Sequence, residues 1–218
     1  MSSKKKHIQS LGEEIANAIS HGVGSLLAIA GTVILIVLAA VYSDAMGVVS
    51  SALYGATLII LYTNSTLYHS LTNKTAKKVF RIFDHCSIFI LILGTYIPVS
   101  LALLRGWIGW TLFGVNVACA VLGIVFNSIN LEKWDKLSQI LYMIMGWSVI
   151  ITAYPVYKAI IAQGVGGLIL ILGGGILYTV GVIFYKSDRK YWHFIWHFFV
   201  LGGSVLHYFF VLYYCILK

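Results

Sequence analysis

Seven apolar runs follow one another along the chain, separated by short polar segments. The hydrocarbon core of a bilayer is about 30 Å thick, and a helix of about 20 apolar residues crosses it. Because lipid cannot hydrogen-bond to free backbone groups, each run is predicted to be helical. The predicted spans are Ile19–Tyr42, Met46–Ser70, Ile82–Leu104, Trp107–Phe126, Leu137–Tyr157, Val165–Tyr185 and Trp192–Leu217. The pattern therefore predicts an all-α bundle of seven transmembrane helices.

The first apolar run decides how the beginning of the chain is divided. It extends from about Gly22 to Tyr42, which is longer than the apolar region of about 7–15 residues in a secretory signal. An uncleaved first helix is therefore expected. Residues 1–18 are predicted to form a polar segment at the cytoplasmic membrane surface, and residues 19–218 a single transmembrane domain.

Composition agrees with lipid as the solvent. The 218 residues are 60% hydrophobic and 10% charged, whereas a soluble domain carries about 25% charged residues. The net charge of +8 would suggest nucleic acid in a soluble protein, but the cations lie in short clusters between apolar runs, so no nucleic-acid binding is expected. All three cysteines fall inside apolar runs without a C-x-x-C pair, which argues against a disulfide framework.

The distribution of Lys and Arg predicts the orientation. Twelve lie on one side of the predicted bundle and three on the other: Lys4, Lys5, Lys6, Lys74, Lys77, Lys78, Arg81, Lys133, Lys136, Lys186, Arg189 and Lys190 against Arg105, Lys158 and Lys218. Cytoplasmic loops carry the excess of basic residues. The N-terminus is therefore predicted in the cytoplasm and the C-terminus outside, in a multi-pass protein of a cell membrane, most simply the plasma membrane of a bacterium.

Four ionisable residues within the predicted spans are candidates for function, because charge inside a membrane is costly. His69 ends the second span, Asp84 opens the third, and His193 and His197 open the seventh. At 1.5 Å per helical residue, all four lie within roughly 10 Å of the cytoplasmic border. Three helices are thus expected to bring imidazoles and one carboxylate to a single depth.

Helical spacing suggests a metal site for these residues. His193 and His197 are four apart and share a helix face, as do Ser65 and His69. These polar stripes are expected to face the bundle interior. Three imidazoles that leave a fourth position open are typical of a catalytic Zn²⁺ site. Asp84 would orient or deprotonate a zinc-bound water, and Ser65 would orient a ligand or contact a substrate oxygen.

Simpler interpretations exist for each of these residues. Paired histidines on one face often only hydrogen-bond to neighbouring helices, His69 could lie at the membrane interface, and Asp84 could pair with Arg81 or cap its helix. Outside this group, His21 is a reserve ligand. His207 lies some 15 Å deeper than His197 and is expected to line the cavity or bond a neighbouring helix. His85 and His7 are assigned no role.

Several short motifs resemble one known family. They are Glu14-Ile-Ala-Asn-Ala-Ile-Ser-His21, Ser65-Thr-Leu-Tyr-His69, Phe83-Asp84, Gly94-Thr-Tyr-Ile-Pro98 and His193-Phe-Ile-Trp-His197, with His207 ten residues on. Together they resemble the hemolysin III branch of the progestin and adipoQ receptor (PAQR) family, relatives of the adiponectin receptors. The resemblance covers nearly the whole chain. It implies seven helices with the N-terminus inside, the same topology that the charge count predicts.

The resemblance also implies a zinc site. It implies Zn²⁺ held by His69, His193 and His197, with Asp84 holding a bound water and Ser65 as the matching serine. Receptor relatives carry a longer cytoplasmic N-terminal region than this chain does, which argues against a hormone-receptor role. The wider superfamily includes alkaline ceramidases, which implies lipid amide hydrolysis by analogy.

The leading hypothesis is a zinc-dependent membrane hydrolase that acts on an amide or ester of a lipid entering laterally. The first rival is a non-enzymatic lipid sensor or regulator of membrane state with structural zinc. A hemolysin-type pore-forming cytolysin is the second, although no amphipathic, insertion-ready segment is evident. A transporter is the last, and the single acidic residue clearly within a span offers no proton relay. Membrane lipids are the expected partners in each case.

Overall fold

The computed structural model describes residues 9–218. Within that range the chain is helical and contains no strands. The predicted cytoplasmic cations Lys4–Lys6, and His7, lie outside the described residues. The helices are α1 (Leu11–Tyr42), α2 (Ala45–Ser70), α3 (Lys74–Pro98), α4 (Gly106–Gly146), α5 (Ala153–Ile161), α6 (Gly166–Tyr185) and α7 (Trp192–Phe210). Two π-helical segments, Val99–Leu104 and Val211–Ile216, continue α3 and α7, and a 3₁₀ turn, Ser148–Thr152, joins α4 to α5.

Six helices in the described range are long and apolar enough to cross a membrane, where the hydrophobic pattern predicts seven spans. The difference lies in the 56-residue stretch Gly106–Ile161, which contains both the fourth and the fifth predicted spans. Asn130 has non-helical torsion angles within this stretch (φ −160°, ψ 93°). The connection predicted around Lys133 is itself helical, and the break between the two arms of α4 is confined to Asn130.

Asn130 divides α4 into two arms, residues 106–129 and 131–146, and side-chain hydrogen bonds from the first arm to the second arm and to the turn that follows it show that the chain reverses there. The Asn116 amide donates to the Ser148 hydroxyl at 2.9 Å, and the Ser138 hydroxyl donates to the Asn127 side chain at 2.6 Å. In a straight helix, residues as far apart as Asn116 and Ser148 would be separated by about 48 Å. The two arms therefore lie side by side.

Polar caps extend α1 and α3 beyond the apolar runs that predict them. In α1, the Glu13 carboxylate accepts hydrogen bonds from the Ser10 amide at 2.9 Å and the Ser10 hydroxyl at 2.8 Å. In α3, the Asn73 side chain accepts from two amides of the first turn. These caps satisfy amides that a helix start leaves free. Each helix accordingly begins eight residues before its predicted span, at Leu11 and at Lys74.

Glycines allow α6 and α7 to pack closely against each other. A Cβ at Gly174 would lie 2.3 Å from the His207 ring, and a Cβ at Gly203 would lie 2.8 Å from Tyr178. Real Cβ atoms do not approach other atoms so closely, so only glycine allows these helices to meet here.

The bundle has two chemically different ends. We call the N-terminal turns of α1, the last turn of α2 and the first turns of α3 and α7 the histidine end. The opposite end contains the α1–α2 turn at Asp44 and the left-handed Arg105 (φ 55°) between α3 and α4. Asp44 and Arg105 form an ion pair there at 2.7 Å.

Candidate metal centre

Three imidazoles meet at the histidine end. His69 comes from the last turn of α2, and His193 and His197 come from successive turns of α7. Their ring centroids form a triangle with sides of 5.2, 5.2 and 4.8 Å. One nitrogen from each ring lies within 4.8 Å of the other two. The predicted convergence of these three histidines is therefore confirmed.

The surroundings of the triangle fit a metal ion. His69 and His197 are buried, with exposed fractions of 3% and 1%, and His193 is half-buried. The Nε2 atom of His69 is buried without a hydrogen-bond partner among the described residues. Buried polar atoms almost always have a partner, and a metal ion held by three imidazoles would supply one. Neutral imidazoles are common ligands of divalent transition metals.

Asp84 lies beside the triangle. The Asp84 carboxylate interacts with the Ser65 hydroxyl and with the His69 ring. The cluster of candidate ligand atoms comprises the three imidazoles and not this carboxylate. Arg81, which the sequence offered as an alternative partner for Asp84, contacts Glu132 at 3.3 Å. The geometry therefore places Asp84 next to the imidazoles without making it a fourth ligand.

The polar stripes expected on α2 and α7 face the bundle interior. Tyr62, Ser65 and His69 are buried on one face of α2, and His197 and Ser204 on one face of α7. The two stripes meet where the Tyr62 hydroxyl donates to the Ser204 hydroxyl at 2.7 Å. A polar seam thus runs from the histidines into the middle of the bundle.

The two remaining histidines of interest occupy different positions. His21 stacks on His197, with ring centroids 3.5 Å apart and planes 10° apart, and both of its nitrogens are buried without partners among the described residues. It is not a member of the ligand cluster. His207 Nε2 lies 3.0 Å from the carbonyl oxygen of Ile171 in α6. His207 therefore bonds a neighbouring helix, as expected.

The N-terminal part of α1 contributes residues that the sequence analysis missed. The Glu14 carboxylate lies 2.7 Å from His69 Nδ1 and 2.9 Å from Lys77 Nζ. The Ser20 hydroxyl lies 2.9 Å from His197 Nδ1, and Asn17 is buried between them. The sequence did carry a signal, because Glu13, Asn17, Ser20, His21 and Gly24 follow helical spacing. These five residues form the buried face of α1 at this end.

Comparison with known proteins identifies relatives along nearly the whole chain. The profile of the family described as "Haemolysin-III related" matches residues 9–208. The chain is 45% identical over 205 residues to the hemolysin-3 homolog of Bacillus subtilis (strain 168), covering 94% of this chain and 95% of that protein. It is 43% identical over 207 residues to hemolysin-3 of Bacillus cereus, with 94% and 93% covered. It is 27% identical over 211 residues to the human monocyte to macrophage differentiation factor, with 90% and 82% covered.

Proposed function

From the premise that the chain belongs to the haemolysin III-related family, and from its three-histidine cluster, we propose that this multi-pass membrane protein is a zinc-dependent lipid hydrolase. The observation that carries the proposal is the triangle of His69, His193 and His197, two of them buried, with Asp84 beside it. Its Bacillus relatives and apolar helices agree with a bacterial cell membrane. The substrate class is a lipid amide or ester that enters laterally.

Zinc is the metal that best fits this set of donors. Three protein ligands with a fourth position open are typical of catalytic zinc sites, and His ligands occur in most of them. Harder cations such as Mg²⁺ and Ca²⁺ prefer sites built from oxygen donors. When bound, zinc would polarise an amide or ester carbonyl and lower the pKa of a water molecule.

The residues around the triangle have distinct roles in the proposed reaction. His69, His193 and His197 would hold the metal at the histidine end. The Asp84 carboxylate accepts the proton of the attacking water and returns it to the leaving amine or alcohol. Ser65, one helical turn before His69, supports the Asp84 carboxylate and orients it. A general base of this kind typically contributes a factor of 10²–10⁴ in rate.

Replacing Asp84 by Asn tests this proposal most directly. The Asp84→Asn variant should keep its fold and its zinc while losing about 10²–10⁴ in turnover, because an amide accepts no proton from water. The assay follows ceramide-like amides and phospholipids in nanodiscs, with zinc occupancy measured in parallel. Asp188→Asn is the matched control, because Asp188 is exposed in the α6–α7 loop, and it should keep full activity.

The same preparations distinguish the rival functions. Equal product from wild type and Asp84→Asn would show that the activity does not use this site. A zinc-loaded wild type that forms no product over a broad lipid panel would favour a lipid sensor with structural zinc. Dye leakage from vesicles tests for membrane lysis, which is the activity that the name of the Bacillus relatives describes. Leakage that persists in a zinc-free His193→Ala variant would favour a pore over any role for the metal.

We further infer seven membrane crossings, with the N-terminus in the cytoplasm and the C-terminus outside. The reversal of α4 at Asn130 supports two crossings within residues 106–161, and the basic residues favour the histidine end as cytoplasmic. A reporter fused after Lys218 should be active only outside the cytoplasm, and one inserted between Lys74 and Arg81 only inside. If both reporters were active on the same side, the number of membrane crossings between the two fusion points would have to be even.

A further inference from the structure

The first three turns of α1 contact two of the three histidines, in each case at the Nδ1 atom. We propose that Glu14 and Ser20 are positioning residues, which fix His69 and His197 as the tautomers that carry their proton on Nδ1 and present Nε2 to the metal. The inference rests on the metal site proposed above. The N-terminal part of α1 would then supply the outer coordination sphere of the metal. The sequence alone predicts that residues up to 18 lie at the membrane surface.

The contact with His69 determines where its proton lies. Glu14 Oε2 is 2.7 Å from His69 Nδ1, and an ionised carboxylate only accepts hydrogen bonds. Nδ1 therefore donates, which leaves the lone pair of the neutral ring on Nε2. Nε2 is buried and has no hydrogen-bond partner among the described residues. Nε2, which is the hydrogen-bond acceptor in this tautomer, is therefore the His69 nitrogen that has no protein partner among the described residues.

The contact with His197 leads to the same tautomer by a different route. A serine hydroxyl has a single hydrogen, and Ser20 donates it to the carbonyl oxygen of Asn17 at 2.9 Å. The Ser20 oxygen can then only accept from His197 Nδ1, which lies 2.9 Å away. The proton of His197 is therefore on Nδ1, and its lone pair is on Nε2.

A third contact from α1 positions the start of α7. Tyr191 has a left-handed backbone (φ 61°) and directly precedes α7. Its amide donates to Glu13 Oε1 at 2.8 Å, and His193 follows two residues later. Residues of α1 thus contact both α2 and the start of α7, which are the two helices that carry the three histidines. Removal of a group that hydrogen-bonds to a metal ligand commonly weakens metal binding by a factor of 10–100.

A merely structural role for these residues is the alternative. Glu14 also accepts from Lys77 Nζ at 2.9 Å, so it ties α1 to α3 whether or not it orients His69. The test must therefore separate loss of packing from loss of the hydrogen bond to the ring. Two matched pairs of variants in the full-length protein do so, one for each histidine.

For His197 the pair is Ser20→Thr and Ser20→Val. Thr and Val have nearly the same shape at this buried position, and they differ in that Thr keeps a hydroxyl where Val has a second methyl group. Zinc affinity, measured by competition with a chelator, should be 10–100-fold weaker in Ser20→Val than in Ser20→Thr. Equal affinities in the two variants would overturn the role of Ser20.

For His69 the pair is Glu14→Leu and Lys77→Met. Both remove the ion pair between α1 and α3, and only the first removes the acceptor on His69 Nδ1. Glu14→Leu should weaken zinc binding 10–100-fold, whereas Lys77→Met should stay close to wild type. Similar losses in both variants would mean that Glu14 acts through Lys77 and would overturn its role as a positioning residue.

Substitution of Co²⁺ for zinc supplies a readout that simple destabilisation does not move. The visible absorption of the Co²⁺ protein should change shape in Ser20→Val and Glu14→Leu, because a misoriented ring changes the ligand geometry. An unchanged spectrum at full occupancy in both variants would overturn the proposal. None of these measurements uses hydrolysis, so a wild type that binds zinc without turnover refutes the hydrolase and still tests this inference. A wild type that binds no zinc overturns both.

Discussion

The two ends of the bundle each contain a carboxylate paired with a base, in opposite environments. At the histidine end, Glu14 pairs with His69, and the side chains have exposed fractions of 18% and 0%. At the opposite end, Asp44 pairs with Arg105, with exposed fractions of 50% and 46%. The distances are the same, 2.7 Å in each case. Distance therefore does not distinguish the two pairs, whereas burial does.

This difference indicates where function lies. Exposed ion pairs contribute little to stability, since water and salt screen them. Buried polar and ionisable groups are costly to maintain, so a membrane protein that keeps several at one place is expected to use them. The histidine end keeps Glu14, His69, Asp84 and His197 together. The opposite end joins α1 to α2 and α3 to α4, and its exposed ion pair links those two turns.

The largest effect should follow from removing an imidazole at the histidine end. Purified wild type should hold about one zinc per chain, and His197→Ala should lose most of it, because two imidazoles seldom retain a structural or catalytic zinc. His207→Ala is the matched control from the same helix, because His207 bonds the Ile171 carbonyl instead. Elemental analysis of both variants measures the difference, and full retention of zinc in His197→Ala would remove the site.

An intermediate effect should follow from overpacking α1 near the histidines. A Cβ at Gly24 would lie 2.8 Å from both Leu201 and Tyr62, whereas a Cβ at Gly22 would make only an ordinary contact of 3.7 Å with Thr66. Gly24→Ala should therefore lower the free energy of unfolding by about 1–3 kcal/mol. Gly22→Ala should be neutral or stabilise by up to about 1 kcal/mol through helix propensity.

Thermal unfolding in detergent measures both glycine variants. Gly24→Ala should also weaken zinc binding, since Tyr62 packs edge-on against His21 with ring centroids 5.0 Å apart. If the two substitutions lowered Tm equally, the close contact of α1 with α2 and α7 would not be the cause.

The smallest effect should come from the opposite end. Asp44→Asn removes the charge that pairs with Arg105 but keeps a side-chain acceptor for the cap on Gly47, so Tm at neutral pH should hardly change. The hydrogen bond from Arg105 holds the pKa of the Asp44 carboxyl below its usual value. Any stabilisation is therefore present above that usual value and is lost as the pH falls through the folded-state pKa. A large drop in Tm at neutral pH would contradict this view of the exposed pair.

Sequence patterns were sufficient to predict the three histidines as a cluster. Positions on the second and seventh spans gave their depth, and the four-residue spacing of His193 and His197 gave their face. Helix geometry is regular enough that depth and face together restrict where side chains can meet. That these histidines bind zinc, and that Asp84 and Ser65 have the proposed roles, remain predictions.

Two features could not be obtained from hydrophobic runs. The first turns of α1 are polar, so a hydropathy criterion ends before Glu14 and Asn17, although helical spacing continues through them. The hydrophobic pattern separates the fourth and fifth spans between Phe126 and Leu137, but it does not indicate that this connection is helical or that the break is confined to Asn130. The polar cap of Ser10 and Glu13 accompanies the start of α1, and side-chain hydrogen bonds join the segments on either side of Asn130, so hydropathy alone locates neither.

The contact of α1 with α7 also has a consequence for biogenesis. Ser20 and His197 are separated by 177 positions along the chain, so the first helix to leave the ribosome must wait for the last before the centre can form. Loop closure over such a distance is slow compared with the pairing of neighbouring helices. Binding of a metal by the proposed site would then be a terminal event of membrane insertion. Only chains in which α7 has already packed against α1 could then bind zinc at this site.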